Sequence, residues 1–180
     1  TDPSCFDSLS EYGITQTVTC PEYGELLKRY CEETGKTIKA HIAVDSGMHR
    51  LGFLPEQIEE IKSLYAAEKL QITGIFSHLC VGDSDKKESI EFSRKQACVF
   101  DEVLKKLKAD GVELGTVHLQ SSFPAINYPE QNYDYARLGV LMFGTLSSDS
   151  DYLAEELGLE PVMSIKAHIT SVRWIDPGET

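Results

Sequence analysis

Short β-rich runs alternate with longer amphipathic stretches along most of this chain, and that alternation restricts its fold more than any single residue does. The first run is GITQTV (Gly13 to Val18). It is followed by a helix predicted from Cys20 to Thr34, where Thr19 and Glu22 have capping-box spacing and Gly35 is a natural stop. TIKAHIAV (Thr37 to Val44) is the next strand. A helix is then predicted on PEQIEEIKSLYAAEKL, with Pro55 suited to a first turn and Ile58, Ile61 and Tyr65 on one face. ITGIFSHL (Ile72 to Leu79) leads through a polar loop to a helix from about Glu88 to Ala109, in which Phe92, Val99, Val103, Leu104 and Leu107 fall near helical spacing. TVHLQ (Thr116 to Gln120) and YARLGV (Tyr135 to Val140) supply two more strands, for five β-containing units. Such a pattern implies parallel strands joined by crossover helices, in a barrel or in a doubly wound sheet.

After Pro161 the pattern changes. VMSIKAHITSVRWI (Val162 to Ile175) is a long β-rich run with no helix after it, ending in the turn DPGET. A complete α/β barrel takes roughly 250 residues. At 180 residues a barrel here would be a partial one, with its five units over residues 1–158. The start of an all-β C-terminal domain is expected over residues 159–180, the whole reading as an internal segment of a longer protein.

Composition excludes several functions. With 41% hydrophobic and 26% charged residues the chain is an ordinary globular one, and it has no apolar run near the roughly 20 residues that span a bilayer. A net charge of −12 argues against nucleic acid or an anionic membrane as partner. Five scattered cysteines without a C-x-x-C pair suggest reduced thiols in a cytosolic compartment, mostly packed as small apolar groups, with neither a disulfide framework nor a metal site. G-x-G-x-x-G and P-loop signatures are absent.

In an α/β barrel the active site lies at the C-terminal ends of the strands. The residues there are Asp45, His49 and Arg50; His78; His118 with Ser121 and Ser122; and Arg137 with Gly139. Each has a plainer reading. His78 and His118 sit on apolar strands, as hydrogen-bonded core histidines do, and Arg50 and Arg137 could simply pair with Asp45 and Asp134. A Ser122, His78, Asp83 triad lacks the G-x-S-x-G elbow, and His78 with Cys80 lacks the further ligands a zinc site needs.

IAVDSGMHRLGF, ITGIFSHLCVGDSD, VHLQSSFPAIN and YARLGVLMFG, together and in this order, resemble the alanine racemase family from about Gly13 to Thr180. SHLCVGDSD and the alanine at position 43 are closer to the membrane-anchored serine/alanine racemases of vancomycin resistance. The resemblance implies a pyridoxal phosphate enzyme on an α/β barrel followed by a β domain, this chain holding a partial (β/α)8 TIM-type barrel, about strands four to eight, and the start of that domain. The enzyme would interconvert L- and D-alanine or serine for cell-wall precursors, as a homodimer with a shared site. The domain would be cytoplasmic, any membrane anchor lying in a segment not present here. The alternative is a barrel module that binds pyridoxal phosphate or phosphate, without catalysis, in a regulatory role.

By the same resemblance Arg50, His78 and Arg137 are catalytic, and Arg50, His118, Ser122, Arg137, Gly139 and Val140 bind the cofactor. Arg50 would touch the cofactor's phenolic oxygen and the substrate carboxylate. Arg137 would face the pyridine nitrogen, with His78 and His118 supporting it. Ser122, Gly139 and Val140 would hold the phosphate. Because arginine stays protonated, it should leave that nitrogen unprotonated and the ring a weaker electron sink, which favours racemisation over side reactions. Two departures stand out. The family often has a carbamylated lysine where this chain has Ala43, and its Schiff-base lysine and catalytic tyrosine have no counterpart here.

Overall fold

A computed structural model describes residues 1–84, 86–128, 130–146 and 155–179. After a 3-10 turn at Pro3–Cys5 the elements are α1 (Phe6–Glu11), β1 (Thr15–Val18), α2 (Pro21–Thr34), β2 (Ile38–Ala43), α3 (Ile58–Tyr65), β3 (Leu70–Phe76), α4 (Lys87–Ala109), β4 (Thr116–His118) and α5 (Ser122–Asn127). Among the described residues the three strand pairings are all parallel, in the spatial order β1-β2-β3-β4. A doubly wound sheet reverses its strand order at a switch point, whereas a barrel adds each strand beside the last. The unbroken order therefore decides for a barrel segment.

The two faces of the sheet differ. Val18, Ile38, Ala40, Ile42, Ile75 and Val117 point to one side and are buried under the helices. Helices α2 and α3 contribute Leu27, Cys31, Ile61 and Leu64 to this core, each nearly inaccessible to water. Burying a side chain of this size stabilises the fold by about 1.5–3 kcal/mol. Strand alternation sends His41, Ala43, Phe76 and His118 to the opposite, barrel-interior side. Residues 134–137 run beside β4: Tyr135 forms a parallel bridge with His118, Asp134 N donates to Val117 O at 2.9 Å and Arg137 N to Gln120 O at 2.9 Å.

Several expectations need correction. The capping box is not formed; the N-cap of α2 is Cys20 without a side-chain bond, and Pro21 opens the helix instead. Gly35 does end it, at φ 71° with its N–H on Cys31 O. Helix α4 buries Ser93, Gln96, Ala97, Phe100, Val103, Leu104 and Leu107, so Phe92 lies off that stripe and is exposed. The predicted strand at 135–140 contributes one bridge before the chain tightens into a 3-10 turn at Val140–Phe143. Residues 162–175 form no ladder among the described residues and are exposed, because a strand needs a partner to satisfy its N–H and C=O groups. Of the cysteines only Cys31 is buried, while Cys5, Cys80 and Cys98 are exposed. Asp85, in the loop before α4, and Thr180, which closes the predicted second domain, lie outside the described residues.

Candidate active site

β2 ends at Ala43, and the chain turns through residues 45–52 and comes back to it. Phe53 N donates to Ala43 O at 2.8 Å and Asp45 N to Phe53 O at 2.9 Å. Asp45, buried at the turn's centre, accepts the backbone N–H groups of Gly47 (2.9 Å) and His49 (3.0 Å). Its carboxylate thus shapes the loop, and Arg50 makes no ion pair with it. Gly52 has φ 122°, and a Cβ there would lie 2.5 Å from Asp45 N, so no other residue closes this return without strain. The loop holds Arg50 exposed at its rim, with no hydrogen bond or salt bridge among the described residues.

Arg137 is the opposite case. Its Nη2 donates to Ser77 O (2.7 Å), Leu119 O (3.1 Å) and His78 Nδ1 (3.3 Å), and its Nη1 donates to His118 Nδ1. The guanidinium carbon lies 5.1 Å from the Phe76 ring centroid. Asp134 does not pair with it; one of its carboxylate oxygens accepts Val117 N at 2.7 Å. Burial lowers the Arg137 pKa from its ordinary value, but a guanidinium starts so high that it stays charged. Ser46 and Ser77 join the loop that carries Arg50 to the end of β3, whose Ser77 carbonyl holds Arg137. Ser77 Oγ donates to Val44 O at 2.7 Å, so the 2.8 Å contact with Ser46 Oγ is donated by Ser46.

Arg50, His78 and Arg137 line one cleft of about 180 Å³ with Ala43, Phe76 and Ser77. Burial and then the two arginines lower the His78 pKa. His118 is pushed down to about 4, by burial first, then Arg137 and His41, so both rings are neutral at neutral pH. On the other side of Arg137, Ser122 Oγ is buried and accepts Gly139 N (2.8 Å) and, at 3.5 Å, Leu141 N. Accepting both leaves the hydroxyl proton of Ser122 to donate outward, beside the glycine. Ser122, Gly139 and Val140 are therefore brought together, as are Arg50, His78, His118 and Arg137. The Ser122–His78–Asp83 triad is not assembled, since Ser122 is committed to the Gly139 amide and His78 to Arg137.

Sequence reasoning missed His41, Phe76 and Ser77. His41 was legible in principle: it lies two residues before Ala43 and so faces the same way. Its neighbours across the sheet depend on register and were not.

The cleft holds two cationic guanidinium groups, neither with a carboxylate partner among the described residues. Such a site calls for an anionic ligand. The family described as "Alanine racemase, N-terminal domain" matches residues 1–147. A serine/alanine racemase of Enterococcus gallinarum is 34% identical over 179 residues, 99% of this chain and 25% of that protein. An alanine racemase of Clostridium novyi (strain NT) is 33% identical over 181 residues, 99% of this chain and 46% of that protein. The chain thus spans between a quarter and a half of these relatives' length. Among solved structures, the alanine racemase of Clostridium difficile 630 in complex with cycloserine superposes with TM-score 0.77 at 28% identity, covering 83% of this chain and 41% of that one. An alanine racemase of Bartonella henselae with covalently bound pyridoxal phosphate shares the fold, with TM-score 0.67 at 23% identity over 82% of this chain and 41% of that one.

Proposed function

This chain belongs to the alanine racemase family, and on that premise we propose that it carries the cofactor face of a pyridoxal phosphate-dependent racemase acting on alanine, serine or both. The observation that carries the reading is the pair of guanidinium groups, Arg50 and Arg137, in one cleft without a carboxylate partner among the described residues. The residues fit the cofactor. Ser122 Oγ–H and the Val140 amide, beside Gly139, suit a phosphate, and the two cations suit the remaining anionic and ring-nitrogen groups. The competing reading, a barrel module without catalysis, is not favoured, since the compared relatives are named racemases.

When bound, pyridoxal phosphate supplies an electron-withdrawing ring that stabilises negative charge at the substrate Cα. Arg137 has five N–H hydrogens. The acceptors His118 Nδ1, His78 Nδ1, Ser77 O and Leu119 O take one on Nη1 and both on Nη2. Nε–H and one Nη1–H remain, and either would hydrogen-bond a ring nitrogen of the cofactor without giving up a proton. Arg50, without a partner among the described residues, can lay its planar fork against a substrate carboxylate and orient Cα. His78, neutral and with its Nδ1 committed to Arg137, keeps its proton on Nε2, where it can donate to a group entering the cleft. The Cα proton itself would be exchanged by a lysine and a tyrosine elsewhere in the whole protein, the tyrosine from a partner subunit. That assignment, the homodimer, the cell-wall role and any membrane anchor belong to this proposal. No helix among the described residues is long and apolar enough to cross a membrane.

The test is incubation of the full-length protein with pyridoxal phosphate and L-alanine or L-serine, followed by chiral separation. Appearance of the D-enantiomer is expected. A protein that binds the cofactor yet leaves both substrates enantiopure would overturn the reading.

A further inference from the structure

We propose that His41 is a positioning residue of this site: it closes a one-way hydrogen-bonded wire from Arg137 through His118 that locks His118 as the Nε2–H tautomer and so keeps Arg137 seated. The proposal rests on the racemase reading for its catalytic consequence, though not for the wire itself.

The direction of the wire follows from the donor inventory. Arginine has donors and no acceptor, so His118 Nδ1, in hydrogen-bond contact with Arg137 Nη1, must accept. A neutral His118 then carries its proton on Nε2, which lies 3.0 Å from His41 Nδ1. His41 Nδ1 must accept in turn, which leaves the His41 proton on its own Nε2. A second proton on either ring, or a swapped tautomer on His118, would set donor against donor. A swapped His118 would also aim Nδ1–H at the guanidinium and push it from its seat between Ser77 O and Leu119 O. Burial holds both histidines below their ordinary pKa, consistent with neutral rings.

The fold makes this contact in a specific way. His41 is on β2 and His118 on β4, with β3 between them. Strands two apart are separated by about 9–10 Å, so the rings can meet only if no β3 side chain stands between them. The β2–β3 register shifts between Ala40 and His41, which leaves Thr73 unpaired and sets Gly74 opposite His41. A Cβ on Gly74 would lie 2.7 Å from both Cε1 and Nε2 of His41 and 2.6 Å from Thr116 O. A bulge and a glycine thus clear the path for one imidazole to reach another. Phe76, stacked on His118 at 4.8 Å with planes 5° apart, fixes the ring on which the wire turns.

The experiment uses the full-length protein, labelled with ring-¹⁵N histidine and free of cofactor. Long-range proton–nitrogen correlation reads each tautomer, and His118→Gln identifies the His118 signals. Wild type should show His118 as a pure Nε2–H tautomer. His41→Leu leaves the buried Nε2–H of His118 without an acceptor, so the ring should turn from its seat against Arg137 and the pure pattern should give way to a mixture of tautomers. His41→Asn, whose Oδ1 takes the place of Nδ1 as acceptor, should keep it. With pyridoxal phosphate added, His41→Leu should lower kcat for alanine by about tenfold with KM little changed, and His41→Asn should recover most of it. An unaltered His118 pattern in His41→Leu, or a lost pattern with wild-type kcat, overturns the proposal. If His41→Leu does not fold, His41→Asn decides, because loss of the pattern there refutes the acceptor role. A wild type with the pattern but no racemisation sinks the racemase reading, and with it His41's catalytic part. A racemising wild type without the pattern sinks the wire alone.

Discussion

Replacing Arg137 with lysine keeps the charge and should still damage both stability and catalysis, in contrast to the same change at Arg50. Four buried or half-buried acceptors converge on Arg137: Ser77 O, Leu119 O, His78 Nδ1 and His118 Nδ1. A lysine ammonium puts its three hydrogens on one nitrogen, which cannot stand where Nη1 and Nη2 both stand, so at least one acceptor is orphaned. An orphaned buried acceptor costs about 1–3 kcal/mol, and loss of the contact with Phe76 costs about 0.5–1 kcal/mol more. Arg137→Lys should therefore lower unfolding stability by roughly 1.5–4 kcal/mol, read as a lowered midpoint in urea. The kcat for racemisation should fall by about tenfold or more, since lysine has no counterpart of the Nε–H and second Nη1–H that the guanidinium leaves free towards the cleft. A variant with the wild-type midpoint would show that the four acceptors find other donors, and that Arg137 is not the keystone the geometry makes it.

Arg50→Lys should leave the unfolding midpoint within about 0.5 kcal/mol of wild type, because Arg50 is exposed and unpartnered among the described residues, while kcat/KM for alanine falls about tenfold or more through loss of the bidentate fork. Cofactor titration of that variant should change little, as Ser122, Gly139 and Val140 lie away from the substitution. Stability should also depend on His118. Its pKa is about 4 in the folded chain against 6.5 ordinarily, so below pH 6.5 the unfolded chain takes up a proton that the folded one refuses. The urea midpoint should therefore fall as pH drops from 6.5 towards 4, and His118→Gln should flatten that slope. Gly52→Ala should cost about 2–4 kcal/mol in the same assay, because φ 122° and a 2.5 Å approach to Asp45 N leave no room for a side chain.

The parallel strands and the long helices were legible because they rest on local period. Ile38, Ala40 and Ile42 alternate with their neighbours, and the stripe of α4 recurs every three or four residues. What failed was decided by non-local facts. YARLGV has strand composition, yet Tyr135 alone bridges to β4, since Gly139 N goes to Ser122 Oγ and the chain tightens after it. VMSIKAHITSVRWI is equally β-rich, and composition cannot provide the neighbour that a ladder requires. Helix α5, SFPAIN, is too short for periodicity to register.

The candidate site divides along the same line. Strand ends pointed to Arg50, His78, His118 and Arg137, and the structure gathers all four, but which arginine is built in and which is left free could not be read from spacing. Asp45 and Asp134 sit near the two arginines in sequence, and simple charge pairing would have consumed both cations. Instead each carboxylate binds backbone amides: Asp45 those of Gly47 and His49, Asp134 that of Val117. The carboxylates thus shape the loops that carry the arginines without neutralising them. Arg137 is then held by carbonyls and imidazoles, which orient a guanidinium while leaving its charge uncompensated, and Arg50 is left open to solvent at the rim. A cleft with one fixed and one free cation fits a reaction in which a resident group must stay oriented while a carboxylate enters and leaves.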